Sequence, residues 1–157
     1  MTEYSSIFKH LYLSFFAKKN KFTKALNVKS GTMKTILFFC GVYNIGFALF
    51  HTGFWKIFHW DKELKKISFA NKAIMQILNI QIIYYFLFTA FICFAFPTEL
   101  VSTPLGNCFL AGSSLFWLIR TLQQFIFLRA NYFQIHLLTF IFLIGSILFA
   151  LPLLLRI

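Results

Sequence analysis

Four apolar runs, at about 35–58, 71–96, 107–128 and 133–155, alternate with short polar breaks. No Asp, Glu, Lys or Arg occurs from Thr35 to Trp55, from Ala73 to Thr98, or from Ala130 to Leu155. A helix needs about 20 mostly apolar residues to cross a bilayer. The runs exceed the length of a barrel strand and lack a two-residue alternation, so helices are predicted. Pro97, Pro104 and Gly106 interrupt the chain between the second and third runs and favour a start near Asn107. Pro152 is expected to kink or fray the end of the fourth run. Only Arg129 to Tyr132 separate the third and fourth runs, which makes those helices antiparallel neighbours. The predicted fold is all-α: an integral membrane four-helix bundle over residues 33–157.

Residues 1–32 follow a different pattern. Ile7, Phe8, Leu11, Tyr12, Phe15 and Phe16 recur at helical spacing, and Lys18, Lys19, Lys21 and Lys24 follow. This predicts a basic amphipathic arm lying in the membrane interface. The basic cluster follows the apolar stretch, the reverse of a signal peptide. Met33-Lys34-Thr35-Ile36-Leu37 also has the form of a natural start, and the alternative reading of residues 1–32 is a mis-called extension ahead of it.

Composition agrees with the pattern. The 157 residues are 59% apolar and 12% charged, against about 25% charged in an ordinary soluble domain. The net charge of +11 invites a nucleic-acid reading, but the lysines flank apolar runs instead of lining one soluble face. No nucleic-acid partner is therefore expected. Flanking cations set orientation instead, with the more basic loops cytoplasmic. The N-terminal segment and the first loop (Lys56, Lys62, Lys65, Lys66, Lys72) are both basic yet must lie on opposite sides. Without residues 1–32 the conflict disappears, and the first and last loops are placed in the cytoplasm. Cys40, Cys93 and Cys108 have no metal-ligand spacing and are predicted to be small buried hydrophobes.

Polar side chains in hydrocarbon are costly, so their positions carry information. Asn44, Ala48, His51 and Trp55 share one face of the first run. Asn71, Met75 and Asn79, with Gln76 beside them, form a stripe on the second. Ser113, Trp117, Arg120 and Gln124 do so on the third, and His136 and Thr139 on the fourth. At about 1.5 Å per residue, His51 is expected about 10 Å, Asn79 about 12 Å and Arg120 about 12–13 Å from the basic-loop side, with His136 shallower. All lie in one leaflet. The predicted site is a polar pocket of His51, Trp55, Gln76, Asn79, Trp117, Arg120, Gln124 and His136.

Arg120 is the only formal charge well inside a run, and no acid lies within any run to pair with it. It can snorkel, bond across helices, or offer its planar fork to an anionic or carbonyl-bearing ligand. His51 can carry protons, bind a ligand or haem, or bond across helices. No metal site is predicted, because the runs hold no carboxylates and no clustered Cys. The cofactor stays unassigned. Ser113 and Ser114 lack a base and acid, so nucleophilic catalysis has little support. Trp60 is expected to anchor at the interface.

Gly46, Gly53 and Lys56, placed ahead of a basic loop, give a layout over residues 35–155 that resembles small four-helix bacterial membrane proteins of the DoxX-like kind. The resemblance implies a small multi-pass inner-membrane protein, often without defined activity, and transfers no catalytic residue. The expected function is binding of an amphipathic, lipid- or quinone-like ligand, or of a membrane partner's helix, in the polar pocket. A quinone- or haem-associated oxidoreductase subunit and a small transporter are the alternatives. The enzyme question stays open, leaning to no.

Overall fold

A computed structural model describes residues 30–128 and 132–155. The amphipathic stretch and basic tail expected before Ser30, together with Arg129 and Arg156, lie outside these residues. Among the described residues, seven helices follow in order: α1 (Ser30–Thr52), α2 (Phe54–Ile57), α3 (Trp60–Glu63), α4 (Phe69–Ala95), α5 (Pro97–Ser102), α6 (Pro104–Phe127) and α7 (Phe133–Leu154). Among the described residues, α1, α4 and α7 are long and apolar enough to cross a membrane. α6 has 24 residues, but Asn107, two serines, Arg120 and two glutamines dilute its apolar character. The chain divides into two compact units, residues 1–35 and 36–157. Within the first, Thr35 Oγ1 donates to the Gly31 carbonyl at 3.1 Å.

The element ends differ from the sequence expectation for identifiable reasons. The first run was expected to stay helical to about 58, yet α1 ends at Thr52. The Asn79 amide of α4 donates to the His51 carbonyl at 3.1 Å, where the helical ladder breaks. A side chain inserted into that ladder is a known cause of such a break. The chain then turns through α2 and through His59, a left-handed residue at φ 48°. His tolerates this region better than most residues. The turn carries Trp60 under Phe54 and Trp55, at centroid distances of 5.9 and 5.1 Å. Trp60 is therefore buried against its neighbours.

The expected break between the second and third runs is itself helical. Pro97 opens α5 and Pro104 opens α6, each in the first turn, where a missing N–H costs nothing. Thr103 caps α6, its hydroxyl accepting from the Gly106 amide at 3.0 Å. Gly106 packs so tightly on the Glu99 and Leu100 backbone that no Cβ fits. α6 thus starts three residues before the expected Asn107.

In residues 36–157 the four long helices alternate in direction. α1 meets α4 through Phe47–Phe86 and His51–Asn79, and α7 through Tyr43, whose hydroxyl donates to the Ile141 carbonyl at 2.9 Å. α6 and α7 are antiparallel neighbours, as their short link requires, joined by Ser114 Oγ to the Ser146 carbonyl at 2.8 Å. Trp117 sits at the centre, fully buried. It lies nearly parallel to Phe86 at 5.3 Å and contacts Tyr43, Phe47, Phe116 and Phe142. Between helices in lipid, such packing and hydrogen bonds replace the hydrophobic drive. Pro152 does not stop α7, which runs to Leu154. Having no N–H, it leaves the Leu148 carbonyl without its helical partner. The Cys40 thiol approaches that carbonyl at 3.6 Å. Cys40 and Cys93 are buried as expected; Cys108 is exposed on α6, against expectation.

Two glycines make the packing testable. A Cβ at Gly145 would collide with the Tyr43 hydroxyl and come within 2.9 Å of the Trp117 ring, whereas one at Gly46 meets nothing within 4 Å. Gly145→Ala should cost about 1–3 kcal/mol, the usual cost of overpacking. Gly46→Ala should cost nothing. Unfolding in detergent, followed by circular dichroism, measures both; equal stability of the two variants would contradict this packing.

Candidate functional site

The polar groups predicted to converge form two separate pairs. The first joins α1 to α4. Asn79 Nδ2 donates to the His51 carbonyl, which fixes its amide orientation, so Oδ1 must accept from His51 Nδ1 at 2.9 Å. His51 therefore carries its proton on Nδ1, an assignment resting on the hydrogen-bond network. The imidazole also stacks on Phe54 at 4.3 Å. Because α1 ends at Thr52, His51 lies in its last turn and not about 10 Å inside the span.

The second pair lies on α6. Arg120 Nη1 donates to Gln124 Oε1 at 3.2 Å, one turn away, and its guanidinium carbon sits 4.6 Å from the centre of the Phe142 ring. Arg120 is half-buried. It is neither a free fork aimed into a pocket nor an extended snorkelling cation. Gln124 is fully buried, and with Oε1 taken by Arg120 its Nε2 finds no partner among the described residues. Asn44 Oδ1 and Thr89 Oγ1 are also buried without partners among the described residues. Asn44 spends its Nδ2 on the Cys40 carbonyl of its own helix, at 2.8 Å.

A cavity of about 730 Å³ opens between α1, α2, α6 and α7. One side is Tyr43, Gly46, Phe47 and Phe50 of α1; the other is Ile135, Leu138 and Ile141 of α7. Gln124 and Gln134 are its polar side chains. It lies at the end of the unit nearest the first loop and the α6–α7 link, the side to which the sequence assigned the polar groups.

Of the eight predicted site residues, only Gln124 lines this cavity. His51 and Asn79 are spent on each other. Trp117 is core. Trp55 falls in α2, beyond the end of α1, and packs on Trp60. Gln76 is half-buried, almost one turn from Asn79. His136 is exposed on the first turn of α7, so His51 and His136 do not face one another across a shared cavity. The cavity is thus apolar with one buried amide, and the residues of the expected polar pocket other than Gln124 do not line it. His51 and Asn79 bond each other across α1 and α4, and Arg120 bonds Gln124 on its own helix, so these groups do not converge on one space. The α7 wall escaped the sequence reading because Ile135, Leu138 and Ile141 look like ordinary core spacing. Gly46 was the available signal, a small residue on a face of large ones.

Among the described residues, no group of three or more His, Cys, Asp or Glu is placed to hold a metal ion. Comparison with protein-family models, curated proteins and solved structures gives no match.

Two predictions follow the two pairs. In a double-mutant cycle, His51→Leu and Asn79→Leu should couple by about 0.6 kcal/mol, and at most about 1.7, as interhelical bonds in membranes do; additive effects on unfolding would remove the pair. Arg120→Lys should lose about 0.5–1 kcal/mol because an ammonium cannot lie flat on Phe142 while bonding Gln124. Unchanged melting of that variant would mean that Arg120 only snorkels.

Proposed function

We propose that this chain is a small multi-pass protein of a bacterial inner membrane that binds one amphipathic molecule in the cavity between α1, α6 and α7. Four spans are proposed, with α6 as the third. At 24 residues it is about 36 Å long. Its polar side chains Ser113, Thr121 and Gln124 face inward and are buried, which explains why its composition is less apolar than its neighbours'. The basic first loop and the α6–α7 link are placed on the cytoplasmic side.

The observation that carries the reading is the Gln124 amide. It is fully buried at the wall of an apolar space of about 730 Å³, and it has donors to give. A buried donor left unpaired costs about 1–3 kcal/mol. A ligand oxygen would offset that cost. Gln124 lies about one turn from the end of α6, near the depth where acyl ester carbonyls meet hydrocarbon. The ligand's apolar body would lie against Phe47, Leu138 and Ile141, deeper in the bilayer. A lipid ester and a quinone both carry a suitable carbonyl. Arg120 acts as a positioning residue, occupying Oε1 so that Nε2 is the end of the amide left to donate. The reading rests on this site, not on the layout shared with DoxX-like proteins.

The test is extraction of co-purifying lipids and quinones from detergent-purified protein, quantified by mass spectrometry. Wild-type protein should retain about one molecule per chain. Gly46→Leu projects into the open cavity and should displace it without loss of stability. Gln124→Leu should lower retention about tenfold, since one hydrogen bond in such a site is worth about 1.4 kcal/mol. Equal retention by wild-type, Gly46→Leu and Gln124→Leu would sink the proposal.

A further inference from the structure

A second cavity, of about 470 Å³, lies where the first loop folds back on α4. It is lined by Phe54, Phe58, Trp60, Glu63, Leu64, Ile67 and Met75. Its aromatic walls are steeply inclined: Phe54 meets Phe58 at 88° and Trp60 at 76°. These contacts are edge-to-face, and the stacked partner of Phe54, His51 at 4.3 Å, covers a single face of that ring, so the rings keep faces that the others do not cover. Trp60 is buried and held by Phe54 and Trp55, so this wall is fixed. Among the described residues, the one charged side chain lining the cavity is the Glu63 carboxylate, one of four acids in the whole chain.

Inclined aromatic faces with a carboxylate are the chemistry that recognises an alkylammonium cation. Glu63 also pairs with Lys66 at 2.7 Å, but both side chains are more than half exposed and the pair is three residues apart on one turn. Such surface pairs are worth little and yield to a better-placed cation. The surroundings narrow the ligand further. The cavity lies at the loop end of the unit, between the end of α1 and the second turn of α4, where the spans proposed above would meet lipid headgroups. Lys62 and Lys65 flank Glu63 in sequence and are exposed, so an anion beside the cation is also matched.

From this geometry we infer that the Phe54–Phe58–Trp60–Glu63 cavity is a headgroup cage for the alkylammonium of a zwitterionic phospholipid, with Lys62 and Lys65 beside its phosphate. The cage stands apart from the Gln124 cavity, although Phe58 walls both. One proposal can therefore fail without the other.

The full chain is reconstituted in nanodiscs of equal parts phosphatidylcholine, phosphatidylethanolamine and phosphatidylglycerol. Lipids retained after mild delipidation are counted by native mass spectrometry. Wild-type protein should retain the two ammonium lipids over phosphatidylglycerol by at least about threefold, the scale of one exposed cation–π contact. Glu63→Gln and Trp60→Leu should abolish that preference, and Trp60→Phe should keep part of it. Lys66→Gln should raise it, because Glu63 is then released. If Trp60→Leu unfolds, the exposed Glu63 and Lys66 variants still decide. Tetramethylammonium in the buffer distinguishes the sources: competition at millimolar concentration would assign the cage to free solutes and overturn the lipid assignment. No preference in the wild-type protein, a preference for phosphatidylglycerol, or a preference untouched by Glu63→Gln and Lys66→Gln would overturn the cage itself.

Discussion

Hydrocarbon offers no hydrogen bonds, so each polar group that a membrane helix carries must find its partner within the protein. That constraint organises residues 36–157. Thr121 and Thr139 return their hydroxyls to carbonyls one turn back on their own helices. Other side chains bond across helices: Tyr43 to Ile141, Ser114 to Ser146, and His51 with Asn79. The same constraint sets where α1 stops, since Asn79 takes the His51 carbonyl at the break. It also explains Pro152, whose freed carbonyl at Leu148 sits beside the Cys40 thiol. Three buried atoms are left without a partner among the described residues, Asn44 Oδ1, Thr89 Oγ1 and Gln124 Nε2, and of these Gln124 is the one whose residue lines the large cavity.

Aromatic size determines where space remains. Trp117 fills the middle of the core, and Phe47, Phe86 and Phe142 close around it. Gly145 lets the Tyr43 hydroxyl and the indole approach α7 closely. Below that layer, Gly46 supplies no side chain, and α1, α6 and α7 stand apart over Gln124. The cavity is therefore a consequence of a crowded layer next to a position without bulk. Arg120 spans the two regions, with its face on Phe142 and one nitrogen on Gln124.

Much of the helix pattern was legible because charge-free runs and proline punctuation act locally. α4, α6 and α7 follow the expected runs to within about three residues, and the α6–α7 pairing follows from the length of their link. The failures share one cause. The end of α1 and the exposure of His136 depend on which neighbour each residue meets, and periodicity carries no such information. The polar stripe was visible, but stripes that face one another can pair instead of enclosing a ligand, as His51 and Asn79 do. Of the predicted site only Gln124 lines the cavity, and its significance comes from Arg120 occupying one end of its amide. The aromatic cage depended on the left-handed turn at His59, which brings Trp60 beneath Phe54.

The central claim is that the free amide of Gln124 faces a ligand and not a void. The most direct test is an experimental structure of the protein extracted from its native membrane into nanodiscs, at a resolution that shows bound lipid. The account predicts elongated density between α1, α6 and α7, with an oxygen within about 3.2 Å of Gln124 Nε2. An empty cavity, or one filled by side chains after α7 closes on α1, would contradict it.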